Sequence, residues 1–299
     1  MTRITDLGLS NTRMAHIAAG RERLAEVEES IASGKELRRP SQDPPVSARL
    51  MRHKDRLRRI EQYQRNNTSA KLWVGAADRA LQSAATSLGR AKTLGVQSGN
   101  DTLGLTERGA LATDIRAISD EIKTLSNVKV SGRPVFAGTA DVDQAYDDAG
   151  AYIGDLNPVN RTIDSGERVE VGLPGPEVFG TSNPGDPLNG TLFEALEALA
   201  VAVETADNAG VLAGIEAIDL ATDRAAVAQG RLGAVDRQLV VAEARQGNEQ
   251  LSVTSSISEL QDTDVADAII RLRSAEAGYQ ATLAASARGM STSLLDFLR

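Results

Sequence analysis

Along residues 265–298 the apolar positions return in steps of 4, 3, 7, 4, 7, 4 and 3: Val265, Ile269, Leu272, Tyr279, Leu283, Met290, Leu294 and Phe297. This is a seven-residue repeat with Glu276 and Ser286 in two of its gaps, and no Gly or Pro interrupts it before Gly289. The spacing predicts a long helix that meets another helix along one narrow stripe. The start of the chain carries the matching pattern at Ile4, Leu7, Met14, Ile17, Leu24, Val27 and Ile31, with the small residues Ser10 and Gly20 near the missing positions. That helix should end at Ser33-Gly34, where glycine supplies a left-handed cap. Neither helix buries its stripe alone.

Between these ends the period changes twice. The segment Arg38-Arg39-Pro40-Ser41-Gln42-Asp43-Pro44-Pro45 resists helix in its middle and reads as a kinked connector of fixed path. A second long helix runs from about Pro45 to Ser98, with Leu50, Leu57, Ile60, Leu72, Leu81, Ala84, Leu88, Ala91 and Leu94 marking its buried side. A third, over about 106–125, is cleaner, with Leu111, Ile115, Ile118, Ile122 and Leu125 stepping by 4, 3, 4 and 3. After Asn127 the pieces are short and extended. Arg161–Ile163 and Arg168–Val171, separated by Asp164-Ser165-Gly166, predict a hairpin, and 174–187 is a Pro- and Gly-rich loop. Helical spacing returns with Leu192, Leu196 and Leu199, in a helix that Gly210 should close. The next helix pairs the row Ile218, Ala225, Leu232, Leu239 with the row Ala221, Ala228, Val235, Ala242. Asp264 is placed to cap the terminal helix.

The expected fold is therefore mainly α with a small β insertion: a long antiparallel helical hairpin or bundle with coiled-coil ends. Residues 1–40 with 262–299 form a terminal coiled-coil assembly domain in this reading. Residues 41–127 with 191–261 form a helical-bundle domain, and 128–190 a β-rich outer insertion.

Totals narrow the picture. Of 299 residues only nine are aromatic (Trp 1, Tyr 4, Phe 4), which favours helix-on-helix packing over a sandwich or an α/β enzyme core. No apolar run is long enough to span a bilayer, and Met1-Thr-Arg-Ile-Thr-Asp lacks the apolar core of a cleavable signal. The absence of cysteine excludes disulfides and thiolate chemistry. The net charge of −8 argues against nucleic acid as the main partner. Charge is uneven, however. Residues 35–65 hold ten Lys/Arg against four Asp/Glu, and 141–219 hold sixteen Asp/Glu against Arg161 and Arg168. Lacking a recognisable binding motif, the basic stretch reads as a solvated face.

No catalytic, cofactor or metal site emerges. The two histidines, His16 and His53, lie on different expected helices without ligand spacing. Asp147-Asp148, with Asp141 and Asp143 nearby, lack the loop pattern and closing Glu of a Ca²⁺ site. Gly132 and Gly138 are turn glycines, and Trp73 is a packing anchor. The chain reads as a structural protein rather than an enzyme.

Five stretches then carry a resemblance. Ile31-Ala-Ser-Gly-Lys-Glu-Leu-Arg-Arg-Pro-Ser-Gln-Asp-Pro-Pro, Leu88-Gly-Arg-Ala-Lys-Thr-Leu-Gly, Gly132-Arg-Pro-Val-Phe-Ala-Gly, the set Tyr152-Ile-Gly-Asp, Val169-Glu-Val and Glu177-Val-Phe-Gly, and Tyr279-Gln-Ala-Thr-Leu-Ala-Ala-Ser-Ala together resemble the flagellin superfamily and, within it, its hook–filament junction branch. Gln42 departs from the pattern, where an Asp is usual. The resemblance implies a flagellin-like fold and an axial adaptor of the bacterial flagellum, joining hook to filament through its terminal helices. A short flagellin that builds the filament itself is the alternative. The implied partners are neighbouring copies, the other junction protein, flagellin, an export chaperone and the type III export apparatus, with no nucleic acid and no membrane insertion. The implied location is the extracellular flagellum, reached without a cleaved signal peptide.

Overall fold

A computed structural model describes the backbone of residues 2–100, 103–181 and 190–297; within 2–10 and 289–297 the side chains are not described. The chain packs into two compact units, Met1–Arg58 with Gln250–Arg299, and Arg59–Glu249. Among the described residues no helix is long and apolar enough to cross a membrane.

The first unit holds helix α1, Thr2–Ser33, the start of α2, Pro44–Ser98, the end of α6, Asn208–Gln261, and α7, Val265–Phe297. α1 stops where Gly34 takes φ +67° and returns its N–H to Ile31 O at 3.3 Å. α2 begins with Asp43 as its cap: Oδ1 accepts from Val46 N–H at 3.0 Å, and the carbonyl accepts from Ser47 N–H at 2.8 Å. Pro44 and Pro45 fit that first turn because its N–H groups have no helical partner anyway. Asp264 caps α7 in the same manner, accepting from Ala266 and Asp267 N–H at 2.9 and 3.3 Å. The segments before α2 and α7 pair with each other. Lys35 and Asp262 form an antiparallel bridge, Glu36 N–H donates to Gln261 O at 2.8 Å, and Thr263 N–H donates to Gly34 O at 3.0 Å.

The second unit is built on the long helices α2 and α6, with α3, Leu105–Ser126, and α5, Leu192–Glu204. The two expected rows of α6 are buried, apart from half-buried Val235. Their alanines let a neighbour approach closely, which is how a chain poor in aromatics reaches a dense core. Ile115, Ile118 and Ile122 of α3 and Leu196 and Leu199 of α5 join the same cluster. On α2 the expected side is displaced in one place: Leu72 is 59% exposed, whereas Trp73 and Val74 are buried. The buried stripe there runs through Ala70, Trp73, Val74 and Ala77, and a residue one step off this 3.6-residue phase faces water. Trp73 is thus a packing residue, with the Arg161 guanidinium 6.0 Å from its ring centroid.

The insertion holds two small antiparallel hairpins. β1, Lys129–Val130, pairs with β2, Arg133–Pro134, through Ser131 and Gly132, both at positive φ. β3, Asn160–Asp164, pairs with β4, Glu167–Glu170, with Arg161 opposite Val169 and a bulge between Thr162 and Asp164. Around them Phe136, Tyr146, Phe179 and Phe193 form a buried aromatic cluster, with Tyr146 5.2 Å from Phe193 and Phe136 5.3 Å from Phe179 between centroids. Asn127 staples this region: its Oδ1 accepts from Ala145 and Tyr146 N–H at 2.7 and 3.0 Å, and its Nδ2 donates to Tyr146 O at 2.8 Å.

Two further expectations need correction here. The loop over 174–187 contains a one-turn helix, α4, Pro176–Phe179, in which Phe179 N–H donates to Gly175 O at 2.8 Å and the Phe179 ring is buried in the aromatic cluster; residues 182–189 lie outside the described residues. Gly210 does not close α5. That helix ends at Glu204, Ala206 takes the left-handed conformation, and Asp207 starts α6 by accepting from Ala209 N–H at 3.1 Å. A capping aspartate therefore sets the break, and Gly210 falls in the first turn beyond it.

Candidate functional site

The candidate site is the pair of terminal helices within the first unit. α1 and α7 pack along one another. On α1 the half-buried positions include Ile17, Gly20, Leu24, Val27 and Ile31, stepping by 3 and 4 as a coiled-coil seam requires. Gly20 allows the close approach: a Cβ built there would lie 3.2 Å from Cδ2 of Tyr279.

On α7 the less exposed face is Ala268, Leu272, Ala275, Tyr279, Thr282 and Ser286. This is a second 4–3 row, and of the large apolar residues expected to form the seam it contains only Leu272 and Tyr279. Val265, Ile269 and Leu283 stand outside it and are exposed, as are Ile270 and, on α1, Met14 at 67%. Ile4, Leu7, Met290, Leu294 and Phe297 lie outside the residues whose side chains are described. Reading the sequence by size of apolar side chain misses Ala268, Ala275 and Thr282; of the two residues placed in gaps of the repeat, Ser286 is buried and Glu276 is exposed. The available signal was their unbroken 4–3 spacing; a helix pair in close contact favours small residues at the crossing.

A groove of about 730 Å³ runs beside the pair, lined in part by Gly20, Ala268, Ala275, Gly278 and Tyr279. Its polar margin is held by ion pairs. Arg271 Nη1 donates to Glu36 Oε1 at 2.8 Å, and its other nitrogen pairs with Asp267. These two carboxylates, Glu36 first, raise the Arg271 guanidinium above its ordinary range. The arrangement offers shape and apolar surface, and among the described residues no three His, Asp or Glu side chains converge as a metal site. Asp147 spends its Oδ1 on Ala151 N–H at 2.8 Å. His16 is exposed on α1 and His53 half-buried on α2.

Both ends of the chain match known sequence families. Residues 4–141 match the bacterial flagellin N-terminal helical region, and residues 215–298 match the bacterial flagellin C-terminal helical region. The chain belongs to the flagellin family. Among flagellin-family relatives it is 27% identical over 212 residues to flagellar hook-associated protein 3 of Salmonella typhimurium, covering 68% of this chain and 67% of that protein. It is 24% identical over 276 residues to flagellar hook-associated protein 3 of Escherichia coli, covering 85% and 87%. The fold is similar to that of the flagellar junction protein FlgL from Legionella pneumophila, with a TM-score of 0.56 and 18% identity over 72% of this chain and 100% of that one. The matched regions include α1 and α7, the pair described above, together with α2, α3 and most of α6.

Proposed function

We propose that this protein is a structural axial component of the flagellum, an adaptor that joins hook to filament through its terminal helices. The observation that supports this reading is the apolar surface left over once α1 and α7 have paired: Met14, Val265, Ile269, Ile270 and Leu283. Fully burying an exposed side chain of this kind contributes about 1.5–3 kcal/mol, and these retain between 41% and 67% of their surface to bury. Five of them on one helix pair favour association with further helices over exposure to water. In this reading the assembly seam comprises Ile4, Leu7, Met14, Ile17, Leu24, Val27 and Ile31 with Val265, Ile269, Leu272, Tyr279, Leu283, Met290, Leu294 and Phe297. Their partners are neighbouring copies, the companion junction protein and flagellin. The protein works outside the cell, delivered by an export chaperone and the type III export apparatus.

Deleting the last dozen residues tests the reading. The expected outcome is a soluble chain whose 59–249 unit remains folded, with hook–filament junctions no longer assembling on cells. Normal filaments on cells carrying that truncation alone would refute it. Long filaments grown from the purified intact chain would instead favour a flagellin that builds the filament itself.

A further inference from the structure

Two side chains tie the connector over 34–43 to α1, the neutral Gln42 and the charged Arg38. Gln42 Oε1 accepts from Arg38 N–H at 2.9 Å and from Arg39 N–H at 3.0 Å, while its Nε2 donates to Glu26 Oε1 at 3.2 Å. The amide orientation is dictated by these partners, because backbone N–H groups require an acceptor and the Glu26 carboxylate requires a donor. The neutral amide supplies both from one head group, with an acceptor oxygen for the two N–H groups and a donor nitrogen for Glu26. A carboxylate in its place satisfies the two N–H groups and then faces Glu26 with like charge.

Arg38 completes the arrangement. It pairs with Glu29, donates to Glu26 O at 3.4 Å, and leaves only 15% of its side chain exposed. Next to it Gln42 N–H returns to Arg39 O at 3.0 Å. The loop thus closes on itself and onto α1 through Glu26 and Glu29, while the adjoining residues of the same connector pair with Gln261 and Thr263 ahead of α7.

We propose that Gln42 is a positioning residue for assembly, a latch that sets the direction in which α1 leaves the connector and so presents the α1–α7 pair in one geometry. The assembly half of this inference rests on the adaptor reading; the latch itself is a property of the monomer. A charge-swap cycle separates the two. Q42E keeps the acceptor and the side-chain length but opposes Glu26, and the expected result is roughly a five-fold faster tryptic cleavage between Arg38 and Arg39, the size of one lost hydrogen bond. E26Q should cleave at the wild-type rate, since Gln42 still has an acceptor. The double variant E26Q/Q42E should return to the wild-type rate, because the amide introduced at position 26 now supplies the donor. Wild-type cleavage in Q42E, or a double variant as labile as Q42E, overturns the latch. On cells, Q42E should lower junction assembly and the double variant should restore it. Full assembly by Q42E despite a loosened connector overturns the positioning role while leaving the adaptor function, tested by truncation, untouched.

Discussion

Gly20 of α1 faces the ring of Tyr279 on α7, where a Cβ would come within 3.2 Å of Cδ2 and the ring would have to give by a few tenths of an ångström. This contact sets how near the two terminal helices approach. In Gly20→Ala the helix-propensity gain of about 1 kcal/mol opposes a shift of the ring by a few tenths of an ångström, so the net change should be small. Gly20→Leu has no such escape and should part the helices. Circular dichroism and protease sensitivity of the termini are the checks; a Gly20→Leu chain as helical and resistant as wild type contradicts the close-approach role.

The exposed row of α7 separates folding from assembly. Ile269 and Leu283 are 43% and 41% exposed in the single chain, so I269E with L283E should cost the monomer no more than about 1 kcal/mol each. The same change should stop incorporation into the hook–filament junction. If the double variant incorporates normally, this row is not the assembly surface.

Arg108 is a buried cation held by backbone carbonyls. Its Nη1 donates to Ser98 O at 2.9 Å, its Nε to Leu103 O at 3.4 Å and its Nη2 to Asn100 O at 3.4 Å, so it caps the carbonyls where α2 ends. Arg108→Ala should destabilise the 59–249 unit by about 1.5–3 kcal/mol, the range for a hydrogen-bonded charged group. Arg108→Lys, which lacks the planar fork, should recover only part of this. Urea unfolding of the two variants measures both.

Asp155 gives the insertion an acid limit. Its carboxylate accepts from the Thr139 hydroxyl at 2.6 Å, Thr139 N–H at 2.8 Å and Asn157 N–H at 3.0 Å. These donors, the hydroxyl first, hold its pKa below the ordinary carboxylate value. A depressed folded pKa means stability present above the unfolded value of about 3.9 and lost as pH falls through the folded one. Thr139→Val removes the leading donor, so the Asp155 carboxyl should titrate at higher pH and acid unfolding should begin earlier. A carboxyl-resolved NMR titration that places Asp155 at the same pH in both proteins excludes this account.

Much of this architecture was legible in spacing. The ends of α1 at Gly34 and of α3 near Leu125, and the cap at Asp264, follow from residues whose local chemistry leaves few choices. The same holds for the α6 rows, where leucine and alanine recur at seven-residue intervals. The misplacements came where local signals competed: Gly210 is a stronger breaker than Asp207 by composition, yet a carboxylate accepting from the next turn decided the break. Leu72 is more apolar than Ala70, yet the phase set by Trp73, Val74 and Ala77 left it outside.

By itself the sequence determined that the chain is a set of long helices with a small insertion, and that its two ends carry matched seven-residue repeats. Backbone periodicity and capping are local, so neighbouring residues suffice to specify them. On α1 the spacing already named Ile17, Leu24, Val27 and Ile31, but which face α7 turns inward was decided only by the tertiary structure. At Gly20, Ala268 and Ala275 the residue contributes closeness rather than apolar area, and closeness has meaning only against a partner helix. The same is true of Gln42, whose amide acquires its function from Glu26, sixteen residues away and one helix back.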